Sequence, residues 1–168
     1  MDIETRKQAF IKLGDRLKEY TSKTQEGPYF NSKQLNIIHD AIRKAGEQNP
    51  WFTHPFLRET IKSMGYLLEK DHLENWIAQY PELKKQKNNP HTIGVVNAGN
   101  IPFAGFHDFL SVLISGHNYY GKLSSKDEHL PEAIAEIVKQ IEPAFKERIH
   151  IEQDFMRSEE RRVGKECV

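Results

Sequence analysis

The sequence predicts a mixed α/β protein in which a helical N-terminal arm, residues 1–90, is followed by the start of a parallel sheet, residues 91–156. Two observations predict this. Apolar residues recur at helical spacing through the first ninety positions, as with Phe10, Leu13 and Leu17 in "IETRKQAFIKLGDRLKEY". From Thr92 the pattern becomes short strand, apolar helix, strand, amphipathic helix, strand, an alternation that right-handed crossovers build into a parallel sheet.

Each element has a local reason. Gly27 and Pro28 break the first helix from the second, "SKQLNIIHDAIRKAGEQNPWF", whose stripe is Leu35, Ile38, Ala41 and Ile42 and whose expected stop is Gly46 with Pro50. Thr53 is placed to cap a third helix with Pro55 in its first turn, and "KDHLENWIAQY" gives a fourth before Pro81. "KKQKNNP" reads as an exposed linker. "TIGVV" is β-branched and apolar, hence a buried strand. "FAGFHDFLSVLISG" reads as an apolar helix, "HNYYGKL" as a strand, "SSKDEHLP" as a loop, "PEAIAEIVKQIE" as a helix and "ERIHIEQ" as a last strand.

Composition excludes several classes. With 24 basic and 24 acidic residues, the chain lacks the surplus cation that binding nucleic acid requires. No apolar run approaches a membrane span, and "MDIETRKQAF" lacks the order of a signal peptide. The single cysteine, Cys167, allows no disulfide within the chain, and a cytosolic protein is expected. His117 and His129 have no partner at metal-ligand spacing, so no metal is expected. His107 and Asp108 are helix neighbours about 100° apart, suited to local hydrogen bonds or an interface rather than joint acid–base work. Trp51, Phe52 and Phe56 read as packing residues rather than a base-stacking platform.

"VVNAGNIPFAGF" places Asn97, Gly99, Asn100 and Pro102 between a strand and a helix, where open α/β sheets bind ligands. It is neither G-x-G-x-x-G nor a P-loop. Asn97 and Asn100 both suit tying down such a turn.

Taken together, "GNIPFAGFHDFLSVLISGHNYYGKLSSKDEHLP" resembles the aldehyde dehydrogenase superfamily, whose members carry Pro-Trp-Asn-Phe-Pro, then Ala-Gly-Asn, Lys-Pro-Ser-Glu and Thr-Pro in that order. Asn100-Ile101-Pro102, Ser115-Gly116-His117-Asn118, Lys122-Leu123-Ser124-Ser125 and Leu130-Pro131 fall where those motifs fall. The wording of these segments, with "NPWFT" upstream, looks closest to the fatty acyl-CoA reductase branch. The resemblance implies a Rossmann-like sheet of the aldehyde dehydrogenase type, with the dinucleotide across the strand ends at Val96, Lys122 and Gln153. It implies that Asn100 holds an oxyanion, a contribution of roughly 3 kcal/mol in a dry site. It implies that Lys122 binds the adenosine ribose or its phosphate, with Ser124 and Lys126 as further phosphate contacts. Ser125 stands where a glutamate commonly takes the ribose 2′-hydroxyl, a departure that favours NADP(H) over NAD(H).

The implied activity is reduction of acyl-CoA to aldehyde through an acyl-cysteine intermediate. Acyl-CoA is the implied partner, and a homo-oligomer is compatible with it. The family's nucleophilic cysteine and general-base glutamate have no counterpart here, because "VGKEC" comes too soon after the nucleotide-binding units. Residues 157–168, within "RSEERRVGKECV", resemble a non-native tail, so a truncated chain is expected. A sheet cut after three strands is then expected to expose an apolar edge and face. A non-catalytic α/β binding module and a dehydrogenase of free aldehydes are the alternatives.

Overall fold

The computed structural model describes residues 1–22, 28–84 and 90–152. Helices α1 (Ile3–Thr21), α2 (Ser32–Gln48), α3 (His54–Leu67) and α4 (Lys70–Ala78) form the arm. Then follow β1 (Thr92–Val96), α5 (Phe106–Ile114), β2 (Asn118–Lys122), α6 (His129–Ile141) and β3 (Ile149–Glu152). The strand order is β1-β2-β3, and both pairs are parallel. The alternation read from the sequence is therefore present. Its "KKQKNNP" linker lies largely outside the described residues, and Gln153 and the 157–168 tail lie wholly outside them.

Two helix starts are fixed by side chains: Asp2 accepts from the Thr5 N–H at 2.7 Å, and Asn31 from the Gln34 N–H at 2.9 Å. Thr53 occupies the N-cap position of α3, but its hydroxyl makes no cap bond; Pro55 in the first turn needs none. Helix α2 ends at Gln48, between the Gly46 and Pro50 of the expected stop.

One hydrophobic core joins arm and sheet. Phe10 of α1 meets Phe109 of α5 and Phe145 of the 3₁₀ turn before β3, edge-on, at centroid distances of 6.2 and 5.9 Å. The buried Arg6 donates from Nε to the Ile114 carbonyl at the end of α5, 3.0 Å away. That helix closes as a Schellman turn: Gly116 N–H bonds Leu113 and His117 N–H bonds Val112, with Gly116 at φ 85°.

Both crossovers run in the same direction across the sheet, so α5 and α6 share one face. Ile93, Val95, Tyr119, Ile149 and Ile151 point to it. The other face carries Thr92, Gly94, Val96, Asn118, Tyr120, Lys122, His150 and Glu152, all exposed or half-buried. A Cβ on Gly94 would meet nothing.

Three expectations need correction here. "TIGVV" is not a buried strand: among the described residues β1 is an edge strand covered on one side, and Val96 is 77% exposed. The uncovered sheet face is not apolar either; apart from Val96 its side chains are polar, and Tyr120 donates to Glu152 at 2.7 Å. Finally, α5 starts at Phe106, because Phe103 at φ 57° turns the chain first.

Candidate functional site

Parallel strands leave their carboxyl ends side by side, and here Val96 and Lys122 are register partners. The Asn97 N–H extends the ladder by one bond to the Lys122 carbonyl at 2.9 Å. Beyond this the chain leaves as a first loop, residues 97–105, beside a second, residues 123–128.

Asn97 is the residue that ties down the first loop. It is buried, and its Nδ2 donates to Tyr119 Oη at 2.9 Å and to the Lys122 carbonyl at 3.1 Å. Gly105 closes over it so tightly that a Cβ there would stand 1.5 Å from Asn97 Oδ1. Asn100, by contrast, is exposed, and its side chain has no hydrogen-bond partner among the described residues. Of the two asparagines, only Asn100 has an amide facing outward.

The two loops are fastened together. Asp127, 1% exposed, accepts the Phe103 N–H on Oδ2 at 2.7 Å. This bond holds Phe103 in its left-handed conformation. Gly99 lies on Ser124, whose Oγ a Cβ on Gly99 would approach to 2.2 Å. Ser124 Oγ itself accepts the Lys126 N–H at 3.2 Å. The arm adds a brace, since Gln48 Nε2 donates to the Ser125 carbonyl at 2.7 Å and to Glu128 at 2.9 Å.

Of the residues singled out in the sequence, the fold gathers Val96, Lys122, Ser124 and Ser125 at one end of the sheet, with Asn100 on the neighbouring loop. Ser125 and Lys126 are exposed, and Lys122 and Ser124 half-buried. His107 packs near Trp76 of α4, with ring centroids 5.8 Å apart, so it belongs to the arm interface. The packing role expected of Trp51 and Phe56 does not hold. Trp51 is 82% exposed and Phe56 42%, whereas Phe52 is buried. A turn that sends Phe52 inward leaves its neighbour outside.

Two residues went unremarked in the sequence. Asp127 looked like one more polar residue of a loop; its position under Phe103 depends on a contact 24 residues away. Glu152 is the register partner of Lys122, which puts a carboxylate at the next strand end. Burial pushes the Asp127 carboxyl up to about 6, against the pull of the Phe103 N–H. Its Oδ1 has no hydrogen-bond partner among the described residues. Burial likewise raises the Tyr119 phenol.

The space beneath the first loop, between Phe103, Phe109 and Ile134, amounts to about 20 Å³ and holds little more than a water. The room for a ligand is outside, against the loops and the uncovered sheet face. No family model, no curated protein and no solved structure matches this chain.

Proposed function

We propose that this chain supplies the dinucleotide-binding side of an NADP(H)-dependent reduction of acyl-CoA to aldehyde by way of an acyl-cysteine intermediate. The observation that carries the reading is the pairing of Val96 with Lys122 at adjacent parallel strand ends, beside loops that leave Ser125 and Lys126 exposed. Strand carboxyl ends are where open α/β sheets take nucleotides. The residues fit the dinucleotide in charge and access: a cation at a strand end, a serine hydroxyl in place of a carboxylate, and an uncovered face beside Gly94.

When bound, the nicotinamide supplies a hydride. The chain's own residues bind and orient. The Lys122 ammonium takes the adenosine ribose or its phosphate, and the Ser125 hydroxyl donates to a 2′-phosphate that a glutamate would repel. Val96 offers apolar surface. The Asn100 amide donates to the thioester oxygen as negative charge develops on it. The thiol is assigned to no described residue, since the only cysteine is Cys167.

Glu152 favours a second reading. A carboxylate across from Lys122 suits free ribose hydroxyls and hence NAD(H). Fluorescence titration of NADPH and NADH separates the two. The first reading expects tighter NADPH binding, weakened about tenfold by Ser125→Glu through like-charge repulsion, with NADH little changed. Tighter NADH binding that is lost in Glu152→Gln supports the second.

A further inference from the structure

Between the α2–α3 turn and the two fastened loops lies a cleft of about 430 Å³, walled by Asn49 and Trp51 on one side and by Gly99, Asn100 and Lys126 on the other. Its size falls within the roughly 300–1,000 Å³ of small-molecule sites. Its walls are fixed. The Asn49 side chain accepts the Trp51 N–H at 3.1 Å, the Asn49 carbonyl accepts the Phe52 N–H at 2.9 Å, and buried Phe52 anchors the turn. Opposite, the contact of Gly99 with Ser124 and the bond from Gln48 to Ser125 set the loops. Trp51 is therefore held outside the core by its own turn.

An indole exposed to 82% is an unusual use of a large apolar ring. Lys126, which forms no ion pair among the described residues, lines the same cleft. Indole faces stack on heteroaromatic rings, and ammonium groups bind phosphate. We propose that this cleft binds the phosphorylated adenosine end of a nucleotide, with the purine on Trp51 and a ribose phosphate on Lys126.

The choice of purine rests on the function proposed above; the cleft, the indole and the cation do not. Two ligands of that reaction carry such an end; the dinucleotide's adenosine is taken at Lys122 and Ser125, which leaves the 3′-phosphorylated adenosine of coenzyme A for this cleft.

The test follows the tryptophan emission of the full chain during titration with 2′,5′-ADP, 3′,5′-ADP and inorganic phosphate. The expected result is a saturable change with 3′,5′-ADP, weakened about tenfold by Lys126→Gln and abolished by Trp51→Phe. Preference for the 3′,5′ compound supports the acyl carrier, and preference for the 2′,5′ compound overturns the proposal in favour of the dinucleotide. Both variants change exposed side chains, so folding is not at stake. No saturable change overturns the proposal, and so does indifference to Lys126→Gln. An equal response to inorganic phosphate overturns it in favour of a bare anion site. Binding lost only in Lys122→Ala overturns it while leaving the strand-end reading intact. A concentration-dependent shift of Trp51 emission without ligand assigns the cleft to a second copy of the chain and also overturns it.

Discussion

Asn97 and Tyr119 meet beneath the loop that leaves β1, with Asn97 Nδ2 donating to Tyr119 Oη at 2.9 Å in a buried setting. Gly105 lies directly on this pair, and a methyl there would collide with Asn97 Oδ1. One carboxamide thus joins the ends of two strands to the start of α5.

Tyr119→Phe removes one partner while Asn97 Nδ2 keeps the Lys122 carbonyl, and is expected to cost about 1 kcal/mol. Asn97→Ala leaves a phenol buried without its partner and costs about 2–3 kcal/mol. Gly105→Ala overpacks the same point at about 2 kcal/mol or more. The double variant Asn97→Ala with Gly105→Ala relieves the collision, so its loss falls short of the sum of the two. Urea denaturation of the four proteins checks this.

Arg6 fastens the arm to the end of α5. Its guanidinium is buried, donating to Ile114 and, from Nη1 at 2.6 Å, to the Met1 carbonyl. Arg6→Met keeps the aliphatic bulk and removes these charge-assisted bonds. The expected loss is about 2–3 kcal/mol. Hydrogen exchange should show faster opening at the N-terminal turn of α1 and the C-terminal turn of α5 together. Loosening of α1 alone would contradict the coupling.

Asp127 gives stability a distinctive pH dependence. Burial raises its folded pKa to about 6, above its unfolded value, so between these values the folded chain holds a proton that the unfolded chain has released. Its contribution therefore falls as pH rises from about 4 to about 6 and is flat above, a span on the order of 3 kcal/mol. Asp127→Asn keeps an acceptor for the Phe103 N–H and removes the titration. Urea midpoints at acidic and neutral pH should differ between wild type and variant by this component alone. Equal pH slopes would contradict it.

Much of the fold was legible. Phe10, Leu13 and Leu17 announced α1 through their spacing, and the change of period at Thr92 announced the sheet. Periodicity reports that a residue is apolar, not which side of a strand is covered; "TIGVV" therefore read as buried although β1 is an edge. Trp51 and Phe52 are adjacent and chemically alike, and only the turn set by Asn49 decides which enters the core. Val96, Lys122 and Ser125 were singled out through the family resemblance, and the strand pattern of their own segments was enough to put them at strand ends. Asp127 and Glu152 were not. Their neighbours, Phe103 and Lys122, are 24 and 30 positions away, and loop contact and strand register are products of folding.

The central claim is that the strand ends around Lys122 take a pyridine dinucleotide. The most direct measurement is NADPH titration of the 168-residue chain, followed by cofactor fluorescence and repeated with Lys122→Ala. Nucleotide binding at the strand ends predicts saturation by wild type and a loss of about tenfold or more in the variant, because a charge-assisted phosphate contact is removed. A cooperatively folded chain that fails to bind NADPH or NADH, or binds either with no dependence on Lys122, would contradict it and leave a non-catalytic α/β module as the better description.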